Sequence, residues 1–143
     1  MRNILLLGGG GYIGVEVIKY FLKKNFKVSC VDNFIYKHDF SIKKIKKNKN
    51  FFLYRCDLKN KKNYKKILKG ITDIVILAGL VGDPITKKYP VDAEKINHIG
   101  IKKFINFCKK EKEIKKLVFV STCSNYGLIK NKIANENTKL NPQ

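Results

Sequence analysis

The run Gly8-Gly9-Gly10-Gly11-Tyr12-Ile13-Gly14 constrains this chain more than any other stretch. Before it stands Asn3-Ile4-Leu5-Leu6-Leu7, a short continuous apolar run of the kind a strand buried on both faces requires. After it comes Tyr12 to Lys24, whose Ile13, Val17, Ile18, Phe21 and Leu22 recur on a helical period. A glycine cluster between a buried strand and a helix has specific uses. Gly8 permits a tight turn, Gly11 removes a side chain where backbone must approach a pyrophosphate, and Gly14 lets the helix pack close to the sheet. The N–H groups and positive end of the helix, whose first residues are Tyr12 and Ile13, then face the phosphates. Four consecutive glycines also suit a merely flexible turn, but Gly14 lies inside the helix, where glycine costs about 0.5–1 kcal/mol relative to Ala.

The same alternation continues along the chain. Lys27 to Val31, Phe51 to Tyr54, Ile74 to Leu77 and Leu117 to Val120 read as further strands. Between them lie a Lys-rich helical segment from Lys61 to Lys69, ended by Gly70, and a longer helix from Ala93 to Lys110 with Ile96, Ile99, Ile101, Phe104, Ile105 and Cys108 apolar. Phe34 to Asn50 suggests a solvated helix and loop. This order predicts an α/β, Rossmann-like doubly wound parallel sheet of about five strands, with right-handed crossovers covering both faces. No repeat or linker divides the 143 residues, which suit one domain. From about residue 128 the chain turns polar and it ends at Asn141-Pro142-Gln143 without another apolar element. The expectation is that the C-terminal part of the fold and a substrate domain lie outside this chain.

The net charge is +20, from 31 basic and 11 acidic residues, which by itself points to nucleic acid or an anionic membrane. Only Arg2 and Arg55 among the basic residues are Arg, the residue of bidentate phosphate and base recognition, and Lys, Asn and Ile are the residues an AT-rich genome favours. Specific nucleic-acid binding is therefore not expected. Gly8 to Gly11 cut short the early apolar run that resembles a signal peptide, and no other stretch approaches the ~20 residues of a membrane span. A cytoplasmic protein is expected. Cys30, Cys56, Cys108 and Cys123 form no C-x-x-C pair, so reduced structural thiols rather than a metal site are expected.

Asp32 closes the second strand 18 positions after Gly14, where a carboxylate can accept hydrogen bonds from the adenosine ribose hydroxyls. It would repel a 2′-phosphate, and no Arg is nearby to welcome one, which favours NAD over NADP. An Asp that simply begins a turn with Asn33 is the alternative.

The spacing Gly8-x-x-Gly11-x-x-Gly14 followed by Asp32-Asn33 resembles the extended short-chain dehydrogenase/reductase family, in particular its NAD-dependent sugar epimerases and dehydratases. Further matches follow in the family's order. Cys56-Asp57-Leu58 is similar to the family's Asp-Leu contact to adenine. Leu77-Ala78-Gly79-Leu80 resembles the segment along the nicotinamide ribose, continued by Val81-Gly82-Asp83-Pro84 as a loop facing the substrate. Asn97-x-x-Gly100 resembles the structural Asn of the central helix, with Ile101 where the family usually has Thr. The resemblance implies a cofactor site of Gly8, Gly11, Tyr12, Ile13, Gly14, Asp32, Asn33, Asp57, Leu58, Ala78, Gly79 and Asn97. It also implies a nucleotide-sugar substrate and a homodimer for the complete enzyme. Taken singly, Asp57 also suits a helix N-terminal acid, Asn97 an exposed polar position and Asp83-Pro84 a plain turn.

Ser121-Thr122-x-x-x-Tyr126-Gly127 resembles the segment carrying the family's catalytic Ser/Thr, here Thr122. The two positions after it, Asp-Glu in the dehydratases, are Cys123 and Ser124, which favours an epimerase or simple dehydrogenase. Tyr126 and Lys130 have the spacing of the family's catalytic Tyr-x-x-x-Lys, but they would need to share a helix, and Gly127 and the polar residues beyond argue against one. By resemblance the true pair follows an Asn-Pro, here Asn141-Pro142. The expectation is NAD binding without turnover by this chain alone. The alternative readings are a non-catalytic NAD-binding protein and an RNA-binding protein of the same fold.

Overall fold

A computed structural model describes residues 2–36, 40–57, 60–129 and 133–142. Five short strands, β1 (Asn3–Leu7), β2 (Lys27–Asp32), β3 (Phe51–Arg55), β4 (Asp73–Ile76) and β5 (Lys116–Phe119), form one sheet in the order β3-β2-β1-β4-β5. Every neighbouring pair is parallel. Order reverses at β1, between β2 and β4, and that is the switch point where doubly wound sheets open a crevice at the carboxyl ends of their strands.

Alternation along β1 divides its side chains between two cores. Leu5 and Leu7 face one, with Tyr64, Ile67, Leu68, Ile74, Ile76 and Phe104. Ile4 and Leu6 face the other, with Val15, Ile18, Val28, Cys30, Phe34, Ile42 and Phe51. Helices α1 (Tyr12–Lys23) and α2 (Phe40–Ile45) cover the second face, while α3 (Tyr64–Leu68) and α6 (Ile101–Cys108) cover the first. Tyr64 sits edge-on to both Phe104 and Phe107, at 5.1 and 5.4 Å between ring centroids, and so joins α3 to α6.

The expected Lys61 to Lys69 helix divides into a 3-10 turn (Lys61–Asn63) and α3, and Gly70 stops it in the left-handed region at φ +71°. The expected solvated segment from Phe34 to Asn50 contains α2, whose Ile42 and Ile45 are buried. Two expectations are corrected. Asp83-Pro84 opens a helix, α4 (Asp83–Lys88), rather than continuing the loop from Val81, because proline is tolerated in a first helical turn. The helix expected from Ala93 begins earlier, at Pro90, for the same reason. It runs as α5 (Pro90–Glu94), one π-helical stretch (Lys95–Gly100) and α6. Among the described residues no helix is long and apolar enough to cross a membrane.

Candidate functional site

The glycine loop joins β1 to α1 at the carboxyl edge of the sheet. Gly8 lies at φ +75° and donates its N–H to the Val31 carbonyl at 2.8 Å. A Cβ on Gly8 would stand 2.6 Å from Ala78 N and Cα, so this turn has room for glycine alone. Gly14 meets Gly9 in the same way: a Cβ there would lie 2.6 Å from the Gly9 Cα and carbonyl oxygen. Its service is to the loop rather than, as expected, to the sheet itself. Gly11 differs from both. A Cβ there would meet only the Gly8 oxygen at 3.7 Å, so nothing in the protein's own packing forbids a side chain. The space it leaves lies at the start of α1, where Gly11 is the N-cap, no side chain caps the helix and no acidic residue occupies the first turn. Tyr12 and Ile13 are exposed beside it. A ligand's phosphates would find unblocked N–H donors and a favourable dipole there.

Asp32 ends β2 and holds the loop in place. Its Oδ2 accepts the Gly10 N–H at 2.8 Å and its Oδ1 accepts the Phe34 N–H at 2.7 Å. Each carboxylate oxygen keeps further acceptor capacity for hydroxyl donors. Gly10 was not singled out by its spacing, yet it is the donor that ties the glycine loop to the carboxylate. A Cβ on it would stand 2.8 Å from Asp32 Oδ2 and 2.6 Å from the Phe34 ring. Asn33 accepts the Ile35 N–H through Oδ1 at 3.1 Å, an Asx turn that directs the chain away from the strand. Phe34, at φ +55°, is buried under the guanidinium of Arg55, whose carbon lies 4.3 Å from the ring centroid. Arg55 is the register partner of Asp32 across β2 and β3. The expectation that no Arg is nearby is thus corrected: pairing of strands brings together residues that the linear sequence separates.

Next to Arg55, Cys56 donates its N–H to the Asp32 carbonyl at 3.2 Å, which sets half-buried Asp57 at the same edge. Leu58, the expected second adenine contact, lies outside the described residues. Burial pushes the Cys30 thiol well up, with nearby Asp32 adding to the effect; burial and then Asp57 raise that of Cys56. Burial, with Glu111 adding, pushes the Cys108 thiol up to about 12. These thiols are packing groups rather than nucleophiles. Among the described residues no three His, Cys, Asp or Glu side chains cluster to hold a metal.

Beyond β4, half-buried Leu77 and Ala78 form the wall against which Gly8 packs, and half-buried Gly79 continues it towards Asn97. Asn97 fixes this wall. Its Oδ1 accepts the Leu80 N–H at 2.7 Å and its Nδ2 donates to the Leu80 carbonyl at 2.8 Å, so both backbone groups of a buried residue are satisfied by one amide. Asn97 sits in the π-helical stretch, a local irregularity often found at functional sites and one that apolar periodicity does not reveal. Its amide is committed to the 77–80 segment, a positioning arrangement, and it does not occupy the exposed polar face weighed as an alternative.

Thr122 follows β5 and is exposed. It caps a 3-10 turn (Cys123–Tyr126), accepting the Ser124 N–H at 3.2 Å, with its hydroxyl 3.1 Å from the Ser124 hydroxyl. Tyr126 ends that turn, and Gly127 at φ +65° carries the chain out of it. Residues 127–129 are not helical, and Lys130 lies outside the described residues. Tyr126 therefore does not stand on a helix running on towards Lys130.

Residues 4–143 match the model of the NAD dependent epimerase/dehydratase family. The chain belongs to that family. UDP-glucose 4-epimerase 2 of Oryza sativa subsp. japonica is 26% identical over 99% of this chain and 36% of its own length. The UDP-glucuronic acid 4-epimerase of Bacillus cereus, solved with UDP-glucuronic acid and NAD, superposes with a TM-score of 0.87 at 25% identity, over 99% of this chain and 46% of that one. The UDP-Glc/GlcNAc 4-epimerase of Campylobacter jejuni shares the fold at a TM-score of 0.90 and 23% identity, over 100% of this chain and 44% of that one. This family member thus spans less than half the length of the relatives it matches. The Rossmann-like sheet and the epimerase/dehydratase membership expected from the sequence are both found.

Proposed function

We propose that this chain is the NAD-binding portion of a nucleotide-sugar epimerase-type oxidoreductase, acting in the cytoplasm and, in its complete form, as a homodimer. The observation that carries the reading is the Asp32 carboxylate, held by the Gly10 and Phe34 N–H groups at the carboxyl end of β2 with acceptor capacity to spare. The residues fit NAD. Gly11, with the N–H groups of Tyr12, Ile13 and Gly14, would take the pyrophosphate, and Asp32 with Asn33 the adenosine ribose. Asp57 and Leu58 would border the adenine, and Ala78 and Gly79 the nicotinamide ribose. Gly8 and Asn97 would serve by holding the loop and the wall in position. Bound NAD would supply a hydride acceptor for a sugar hydroxyl carbon.

Thr122 would hydrogen-bond the reacting sugar oxygen, while Tyr126 would take no part in proton transfer. A proton acceptor must be held within about 1 Å of its place to avoid losses on the order of 100-fold in rate. The chain by itself is accordingly proposed to bind NAD without turning over a nucleotide sugar.

Calorimetric titration with NAD tests the reading. Asp32→Ala is expected to weaken binding about tenfold or more, through loss of charge-assisted hydrogen bonds to the ribose. Unchanged affinity, or no binding by the folded wild type, would overturn it. Turnover of UDP-glucose by the chain that Tyr126→Phe abolishes would overturn the proposed inactivity instead.

A further inference from the structure

We propose that Arg55 is a specificity-determining residue of the adenosine-ribose subsite, a latent 2′-phosphate ligand whose action Asp32 suppresses. The inference rests on the reading of Asp32 as the ribose-binding carboxylate. On that view the expected preference for NAD does not come from lack of a cation. It comes from a carboxylate that outweighs one.

Three observations converge on Arg55. Register pairs it with Asp32 on adjacent parallel strands, so both side chains leave the same face of the sheet from backbones about 4.8 Å apart. The guanidinium lies over the ring of Phe34, 4.3 Å from its centroid. That ring is itself fixed, because the Phe34 N–H is bound to Asp32 Oδ1 at 2.7 Å and the ring borders Gly10. Arg55 also lines an open depression of about 420 Å³ with Lys46, Phe51 and Leu53. Two cations, Arg55 and Lys46, thus line one depression with the apolar Phe51 and Leu53, a surface suited to a phosphate dianion.

The chemistry assigns opposite tasks to the two side chains. Asp32 accepts hydrogen bonds from the 2′- and 3′-hydroxyls and repels a phosphate at the 2′ position. Arg55, planar and always charged, presents paired N–H donors that match two phosphate oxygens. With Asp32 ionised, a 2′-phosphate entering the subsite meets a negative charge from the register partner of Arg55. With Asp32 removed, that repulsion is gone and the cation remains, over a Phe34 ring that is still buried in the core although its N–H has lost a partner. Lys46, which also lines the depression, adds a second positive charge without the paired-donor geometry.

The test compares 2′,5′-ADP (adenosine 2′,5′-bisphosphate) with 5′-AMP, which differ only in the 2′-phosphate, and NADP with NAD. Affinities are measured by calorimetry at low ionic strength on wild type, Asp32→Ala, Asp32→Ala/Arg55→Gln and Asp32→Ala/Arg55→Lys. Asp32→Ala should bind 2′,5′-ADP about tenfold or more tightly than wild type does. Adding Arg55→Gln should remove most of that gain and change 5′-AMP affinity by much less, and an unchanged thermal melt reports that the variant is folded. Arg55→Lys should restore part of the gain, because the charge returns without the paired donors. Equal 2′,5′-ADP affinity of Asp32→Ala and Asp32→Ala/Arg55→Gln would overturn the role of Arg55 while NAD binding by wild type still stood. No binding of NAD or 5′-AMP by folded wild type would instead remove the ribose reading of Asp32, and this inference with it.

Discussion

The carboxyl ends of β1 and β5 face the same crevice, but they are held by different means. β1 has strand neighbours on both sides and its Leu5, Leu6 and Leu7 are buried without residual exposure. The loop it leads into is tied by a backbone bond to Val31 and by a side-chain bond to Asp32. Among the described residues β5 pairs only with β4, and Val118, Phe119 and Val120 remain about half exposed. Thr122 beyond it is secured chiefly by its own turn. The side proposed to take the cofactor is therefore preorganised by the sheet's central strands, where moving one group disturbs many others. The side proposed to face the substrate depends on local hydrogen bonds, which water can replace at small cost.

The largest effects should come from the glycines, and they should split by position. Gly8→Ala places a Cβ 2.6 Å from backbone atoms at a positive φ, and Gly14→Ala does so against Gly9 without the dihedral strain. Urea unfolding should show losses of about 3 kcal/mol or more for Gly8→Ala and about 1–3 kcal/mol for Gly14→Ala. Gly11→Ala should change stability by less than about 1 kcal/mol, since its Cβ meets nothing closer than 3.7 Å, and yet weaken NAD binding. If Gly11→Ala destabilised the chain as much as Gly8→Ala, the open space at the start of α1 would be a packing feature and not a ligand's place.

Asn97→Ala comes next. It strips both partners from the Leu80 peptide groups, and a buried donor or acceptor left unpaired costs about 1–3 kcal/mol. Asn97→Asp keeps the acceptor for the Leu80 N–H and loses the donor, so it should fall between the two in a thermal melt. A loss near zero for Asn97→Ala would mean that the wall beside Gly8 is not held from the π-helical stretch.

Much of this arrangement was legible in the sequence, for a physical reason in each case. Strands buried on both faces must be continuous apolar runs, so Asn3–Leu7 and its companions stood out. The glycine spacing reports a turn that other residues cannot make, so Gly8 and Gly14 were found by their necessity. Gly10 was missed because its contribution is an N–H, which every residue except proline carries, and only the folded loop shows where it points. Arg55 was missed because its neighbour Asp32 lies on another strand, and register is a property of the sheet. The π-helical stretch escaped because one extra residue in a helical turn leaves the apolar pattern from Ile96 to Cys108 nearly intact. Asp83-Pro84 was read as a loop because proline marks a helix start as readily as a break.

The smallest predicted effect is the sharpest test of the difference between the two strands. Val28 on β2 and Val118 on β5 point to the same face of the sheet, since Val118 pairs with Val75, which packs against the same core as Val28. Val28 is fully buried and Val118 is 53% exposed. Val→Thr keeps the shape and adds a hydroxyl, so its effect reports what surrounds the site. At Val28 the hydroxyl is desolvated in an apolar core, and the expected loss is about 1–3 kcal/mol. At Val118 the hydroxyl stays in water, and the expected change is within about 0.5 kcal/mol. Urea unfolding at two protein concentrations distinguishes the outcomes. If Val118→Thr costs as much as Val28→Thr, and does so only at the higher concentration, the face of β5 is covered by association in solution. The contrast drawn between the two ends of the crevice would then hold for the isolated chain alone.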